Sequence, residues 1–128
     1  MYIRFVTEIV DEDSGRRQGL FQALAGLQDD GQLADHENDL YLDTIDWFNN
    51  NLKEPLRFRV SRKYHKQNTA LSWFKTSAAR HIDKMRDLQY LLEAHDIQVT
   101  VLTSDRPGYI VYEDPYQVVA EPFRETDT

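Results

Sequence analysis

The chain contains no cysteine, few glycines and prolines, and no long apolar run. Without cysteine it can form no disulfide, thiolate zinc site, iron–sulfur cluster or cysteine nucleophile. No apolar run approaches the roughly 18 residues that a membrane span needs. The N-terminus also lacks the basic and apolar regions of a signal peptide. These absences predict a cytoplasmic protein without a membrane segment.

Length and composition predict one globular domain. Hydrophobic residues make up 41% of the chain and aromatic residues 12%, which favours a packed core over disorder. A chain of 128 residues is long enough for a single core. We expect residues 1–123 to form the ordered domain and the polar residues 124–128 to be a frayed tail.

Hydrophobic periodicity predicts one N-terminal strand and two or three helices. Residues 2–10 alternate between apolar and polar side chains, as in a half-buried strand. Apolar residues then recur at three- and four-residue steps, as on one face of a helix. The predicted helices run from Ser14, the candidate N-cap, to Gly31, over 35–50, and from Asn68 or Thr69 to about His95.

The C-terminal third of the chain is rich in β-branched and aromatic residues. It predicts three strands, over 97–102, 109–113 and 117–121, with a type II turn over 106–109. Residues 56–61 form either a short strand or an extended connector. The clustering of strands and helices predicts an α+β fold. We expect a small, mainly antiparallel sheet, built from the N-terminal strand and a C-terminal three-strand meander, packed by the helices.

The basic residues are concentrated in one block of an otherwise acidic chain, whose net charge is −7. Residues 53–86 hold ten basic residues against two acidic ones, a net of +8. The flanking residues 1–52 and 87–128 carry nets of −8 and −7. The block therefore either pairs with the protein's own acidic surfaces or meets an external anion.

The centre of this block, residues 57–75, interleaves basic and aromatic side chains. Such a pattern can hold phosphate or carboxylate groups while rings stack on a ligand. The candidate ligand-binding residues are Arg57, Arg59, Arg62, Tyr64, His65, Lys66 and Trp73, with Arg106 contributed from the turn before the last hairpin. Three interpretations stay open: an internally paired segment, a small-anion or nucleotide-like site, and a surface for a polynucleotide or protein. The net charge of −7 disfavours a polynucleotide.

No motif of the chain identifies a catalytic or metal site. The positions around His36, Asp39 and Asp43 lack the HExxH and EF-hand patterns and have the spacing of a solvated helix face. Ser77 and His81 are four residues apart on the predicted third helix, but no orienting acid or nucleophile elbow accompanies them. We therefore predict no catalytic residue, no metal and no cofactor.

Three stretches of the sequence resemble a family of small bacterial proteins of unassigned function. They are DWFNNNLKEPLRF, LSWFKTSAARHIDKMRDL and DRPGYIVYEDPYQVVAEPF. The resemblance spans the chain from Ile3 to Phe123 and implies a free-standing domain. It transfers no catalytic residue.

These observations together predict a cytoplasmic, non-enzymatic binding module with a small-anion or nucleotide-like ligand on residues 57–75. Two alternatives stay open. One is a small enzyme acting on an anionic metabolite, with His65 or His81 as the acid or base. The other is a protein-interaction or assembly domain. A homo-oligomer is compatible with each of them, and no membrane partner is expected.

Overall fold

A computed structural model describes residues 1–54 and 70–128 of the chain. In this part of the chain, six strands form one antiparallel sheet and three helices pack against it, so the predicted α+β class is confirmed. The strands are β1 Tyr2–Val10, β2 Arg17–Gly19, β3 Leu71–Lys75, β4 Val99–Ser104, β5 Tyr109–Glu113 and β6 Gln117–Glu121. The helices are α1 Leu20–Asp29, α2 Asp35–Asn51 and α3 Ala79–Ala94. The predicted extended segment 56–61 and the predicted helix start at Asn68 or Thr69 lie outside the described residues.

β1 lies at the centre of the sheet because three strands pair with it. β4 pairs with most of its length on one side. On the other side, β3 pairs with Tyr2 and Ile3, whereas β2 pairs further along, from Val6. β6 and then β5 extend the sheet beyond β3. Between β2 and β3, at Arg4 and Phe5, the sheet therefore divides, and we call this interval the fork.

One face of the sheet carries the main hydrophobic core. Ile3 and Phe5 of β1 point to this face and pack with all three helices. Their buried neighbours are Leu20, Ala23, Leu24, Tyr41, Phe48, Met85, Leu88, Leu91, Leu92 and Val99. Burial of each large apolar side chain contributes about 1.5–3 kcal/mol, so the contact between helices and sheet supplies a large favourable term in folding.

The prediction of one long third helix was wrong in its first part. Leu71–Lys75 forms β3, and the helix begins only at Ala79. The apolar spacing of Leu71, Phe74 and Ala78 fits a helix, but the aromatic residues of this stretch are also typical of strands. Five residues are too few for periodicity to separate the two structures. The pairing of β3 with β1 on one side and β6 on the other decides in favour of the strand.

The boundaries of the first two helices differ in how well the sequence predicts them. The second helix, α2, is confirmed to within one residue at its end. The first helix begins at Leu20, so Ser14 is not its N-cap. Ser14 instead belongs to the turn before β2, where its hydroxyl accepts a hydrogen bond from the backbone N–H of Arg16 at 3.2 Å. The short strand β2 was not predicted, because three residues carry too little periodicity.

The C-terminal strands are present, but they do not form the predicted meander. β5 and β6 pair as a hairpin, as expected, whereas β4 pairs with β1. The prediction of a type II turn over 106–109 was also wrong. Gly108 has a φ of +149°, whereas the third residue of that turn has a φ near +80°. The chain between β4 and β5 has to leave β1 and reach the far side of the sheet, which a tight turn does not allow.

Asp96 follows α3 in the left-handed conformation, with a φ of 61°. The backbone N–H of Asp96 donates to the Glu93 carbonyl oxygen at 3.1 Å, and that of Ile97 donates to the Leu92 carbonyl oxygen at 3.1 Å. These are the two hydrogen bonds of a Schellman motif, whose left-handed residue is usually glycine. The predicted left-handed Gly31 after α1 is confirmed, with a φ of 68°.

Replacing Asp96 by glycine is expected to raise the free energy of unfolding by about 0.5–1 kcal/mol, because glycine adopts this conformation without a Cβ clash. Urea denaturation followed by circular dichroism measures the change. The same replacement at the exposed Asp83, inside α3, is the control and is expected to lower stability. A loss of stability in Asp96→Gly would contradict the expectation.

Candidate functional site

The face of the sheet opposite the helices carries a second, smaller core made of strand residues. Its members are Val6, Trp73, Leu102 and Val118, with Tyr2 and Ile110 packed against them. Arg4 of β1 is paired with Leu102 of β4, and paired residues of neighbouring strands lie on the same face. Arg4 is therefore part of this surface. We call it the helix-free face, because strands alone contribute its core among the described residues.

Two of the predicted ligand-binding residues lie together on the helix-free face. Trp73 and Arg106 line one groove of about 480 Å³, together with Phe123 and Asp127. Arg106 is exposed, and its guanidinium carbon lies 5.4 Å from the centroid of the Phe123 ring, within the range of a cation–π contact. The other candidates, Arg57, Arg59, Arg62, Tyr64, His65 and Lys66, lie outside the described residues, so their role stays a prediction.

The chain that follows β6 forms one wall of this groove. Asp127 accepts a hydrogen bond from Nη2 of Arg17 at 2.5 Å. Asp127, which lies in the predicted frayed tail 124–128, is thus placed beside Arg17 of β2. Glu125 also lines the groove. Carboxylates therefore accompany Arg106 here, and the groove is not a uniformly cationic surface.

Arg4 is a second cationic side chain of the helix-free face, and it was not among the predicted ligand-binding residues. Its Nη1 donates a hydrogen bond to the carbonyl oxygen of Ser72 at 3.0 Å, across the fork. Its Nε is enclosed and has no hydrogen-bond partner in the described part of the chain. The same holds for Nη1 of Arg16. Two guanidinium groups thus each have an N–H donor without an acceptor in the part of the chain that the structure describes.

Arg4 is a positive charge without a neutralising partner among the described residues. Burial lowers the pKa of Arg4 to about 10, and the nearby charges of Arg16 and Arg17 contribute to this shift. The guanidinium is still charged at neutral pH. Among residues 1–54 and 70–128, no carboxylate forms an ion pair with Arg4 or Arg16. A charge in such surroundings costs free energy until a partner binds to it.

Trp73 adds a third donor to the same surface that has no partner among residues 1–54 and 70–128. Its side chain is 2% exposed, and its Nε1 has no acceptor among the described residues. A buried indole N–H normally has one. Trp73 lines the groove and also a second cavity at the fork, which Arg4 lines as well. A ligand whose oxygen atoms accept hydrogen bonds from both residues would satisfy these enclosed donors once the side chains around them move apart.

A sequence signal for Arg4 exists. Arg4 stands between Ile3 and Phe5 in an alternating strand, so it must face away from the side that these apolar residues bury. The proximity of Arg16 carries no such signal, because it depends on how the turn after β1 folds back. Arg4 and Arg16 lie in residues 1–52, whose net charge is −8, so a count of charges along the sequence does not indicate a cationic site there.

Ser77 and His81 line a separate cavity of about 230 Å³, together with Trp47 and Tyr116. Ser77 precedes α3, so the predicted placement of both residues on one helix was wrong. Nε2 of His81 donates to the carbonyl oxygen of Asn51 at 2.8 Å, because a carbonyl can only accept. The His81 ring lies 4.8 Å from the Trp47 ring and 4.6 Å from the Tyr116 ring, centroid to centroid. In the described residues, no hydrogen bond joins Ser77 to His81, so a serine–histidine pair is not formed.

The acidic start of α2 stabilises the fold locally. Glu37 accepts a hydrogen bond from the backbone N–H of Ala34 at 3.0 Å, and its other oxygen lies 2.9 Å from Nε2 of His95. The Ala34 hydrogen bond and His95 together lower the pKa of the Glu37 carboxyl. The neighbouring candidates His36, Asp39 and Asp43 are exposed. Within the described ranges, no group of three or more His, Asp or Glu side chains is arranged to hold a metal ion.

Comparisons with known proteins add no family to this geometry. No family model matches the chain, and no curated protein and no solved structure matches it. The resemblance to small bacterial proteins therefore stays a prediction.

None of the helices that the structure describes has the length and apolar character needed to cross a membrane. The candidate site accordingly rests on the donors of Arg4, Arg16 and Trp73, for which the described residues supply no acceptor.

Proposed function

We propose that this protein is a non-enzymatic binding module for a ligand with a small anionic group, held on the helix-free face by Arg4, Arg16 and Trp73. The observation that supports the proposal most is the enclosed Nε of Arg4, which has no acceptor in the described part of the chain. An unpaired charged donor costs more than a neutral one, because its desolvation is not compensated. A carboxylate or phosphate oxygen would compensate it with a short, charge-assisted hydrogen bond.

The size of the cationic cluster supports a small anion as the ligand. Arg17 is already paired with Asp127, and Glu125 lines the adjoining groove. These carboxylates would repel an extended polyanion, and the net charge of −7 would add to the repulsion. A single anionic group needs only the local donors.

The alternatives predicted from the sequence have less support. An enzyme using His81 would need a reacting partner, and the Nε2 proton of His81 is held by the Asn51 carbonyl oxygen. An assembly domain would use an apolar surface, whereas the helix-free face presents unpaired cationic donors. A cytoplasmic location and a bacterial family belong to this proposal as well, and the absence of cysteine is compatible with that location.

If Arg4 binds an anion, replacing it should stabilise the protein when no anion is bound and should abolish the stabilisation that the anion provides. Arg4→Met is expected to raise the free energy of unfolding by about 1–2 kcal/mol in anion-poor buffer, because it removes an uncompensated charge. The same variant is expected to lose the stabilisation by phosphate or acetate. That stabilisation is about 1.4 kcal/mol for the wild type at ten times the dissociation constant. Thermal and urea denaturation at constant ionic strength, with chloride as the reference salt, measure both quantities.

Arg80→Met is the matched control, because Arg80 is exposed on α3, beside Trp47 and away from the fork. This variant should keep the response of the wild type to both anions. Equal stabilisation of the Arg4→Met variant and the wild type by phosphate and acetate would show that Arg4 does not form the site. A wild type that neither anion stabilises would remove the proposal as a whole.

A further inference from the structure

The cavity at the fork joins the two faces of the sheet. Its volume is about 260 Å³, and it opens where β1 has left β3 and has not yet met β2. A continuous ladder of backbone hydrogen bonds would separate the faces at this point. Among the described residues the ladder on this side of β1 is interrupted at Arg4 and Phe5, and residues of both faces line the cavity.

The two ends of this cavity differ in chemistry. Arg4 and Trp73 line it from the helix-free face. Leu20, Phe21 and Met85 line it from the helix layer, where Leu20 and Met85 are buried members of the main core. A cavity with a cationic entrance and an apolar interior matches a ligand that has one anionic group and one apolar group.

The free edge of Arg4 favours a carboxylate as the anionic group. Nη1 of Arg4 is occupied by the Ser72 carbonyl oxygen. Nε has no partner in the described residues, and no hydrogen bond of Nη2 is found among them either. The Nε–Nη2 edge carries two parallel N–H groups, which match the two oxygens of a carboxylate once the side chains that enclose Nε move apart.

The volume of the cavity limits the apolar group. An apolar cavity of about 150 Å³ holds a benzene molecule, and pockets for drug-sized ligands start at about 300 Å³. The fork cavity lies between these sizes. It accommodates one aromatic ring with a short linker, or a linear chain of similar volume.

We propose that the ligand is an apolar carboxylate, with its carboxylate on Arg4 and Trp73 and its ring or chain in the fork cavity. This inference rests on the proposed anion-binding function and specifies its ligand. The proposed site differs from a general anion site because a carboxylate with a ring or chain should bind more tightly than a carboxylate without one. It differs from a general apolar cavity in requiring the charge.

Calorimetric titration of the wild type with four probes tests the inference. The probes are acetate, inorganic phosphate, 3-phenylpropionate and 3-phenylpropanol. We expect 3-phenylpropionate to bind at least tenfold more tightly than acetate and than the uncharged alcohol. Acetate or phosphate binding as tightly as 3-phenylpropionate would overturn the apolar part and leave the anion-binding function standing. Equal binding of the alcohol would overturn the role of the carboxylate, and no heat from any anion would overturn the proposed function itself.

Gly19 offers a substitution whose side chain would begin in open space at the lining of the cavity. Gly19 lines the cavity and has an ordinary extended backbone, with φ −72° and ψ 170°. A Cβ added there meets no atom within 4 Å. Gly19→Leu is therefore expected to fold and to bind 3-phenylpropionate no more tightly than acetate. Gly26→Leu, at an exposed position of α1 that also has open space, is the control and should keep the tenfold preference. If the Gly19→Leu variant still binds 3-phenylpropionate tenfold more tightly than acetate, the apolar group binds outside the fork cavity.

Discussion

Replacing Phe48 by alanine is expected to lower the free energy of unfolding by about 3–5 kcal/mol. Phe48 projects from α2 into the main core and is 6% exposed. Its ring meets Phe21 of α1 edge to face at 5.3 Å between centroids, and it lies 6.0 Å from Phe74 of β3. The substitution removes these aromatic contacts and leaves a cavity between two helices and the sheet. These elements are held by their other contacts and cannot move together to fill the cavity.

Urea denaturation followed by tryptophan fluorescence measures the effect of Phe48→Ala. Phe123→Ala is the control, because Phe123 is 37% exposed beside Arg106, and its loss should cost less than about 1 kcal/mol. A destabilisation of Phe48→Ala no larger than that of the control would show that α2 is not anchored to the sheet through this ring.

Replacing Gly108 by alanine is expected to lower the free energy of unfolding by about 3 kcal/mol. An alanine Cβ would collide with the backbone carbonyl of Glu121 and lie 2.9 Å from Cα of Pro122. Both are backbone atoms at the end of β6, so they cannot move aside as a flexible side chain would. The φ of +149° at this position adds strain for any residue with a Cβ.

Gly26→Ala is the matched substitution for Gly108→Ala. Gly26 lies in α1 with open space around it, so alanine there should raise stability by about 0.5–1 kcal/mol through helix propensity. Opposite signs for the two variants in the same denaturation assay are the expected result. A Gly108→Ala variant within 1 kcal/mol of the wild type would mean that β5 and β6 can separate at this end without cost.

The candidate site shows how far sequence reasoning reaches in this protein. The sequence indicates Trp73 as an aromatic member of the basic block and Arg106 as a contribution from the turn before the last hairpin, and the structure places both in one groove. The predicted helix start was misplaced, since Trp73 belongs to a strand. Arg4 and Arg16 were not selected, because they stand in the acidic first segment. Their importance comes from the absence of carboxylate partners in the described residues, and pairing is a property of the folded chain.

Some elements of secondary structure were predictable from the sequence, whereas others depend on tertiary contacts. The apolar spacing of α2 extends over 17 residues, long enough for the helical period to be unambiguous in the sequence. β3 has only five residues, and over that length a strand and a helix bury similar positions. The two ladders that β3 forms, with β1 and with β6, supply the hydrogen bonds that settle its structure.

The sequence by itself determined the α+β class, the extent of α2, the final hairpin and the left-handed Gly31, because each depends on local periodicity or local backbone conformation. Only the tertiary structure decided that β4 pairs with β1 and that β2 and β3 share one side of β1. The fork at Arg4, with its cavity, follows from that arrangement. It brings together residues more than sixty positions apart, Arg4 and Ser72, and no local pattern encodes such a contact.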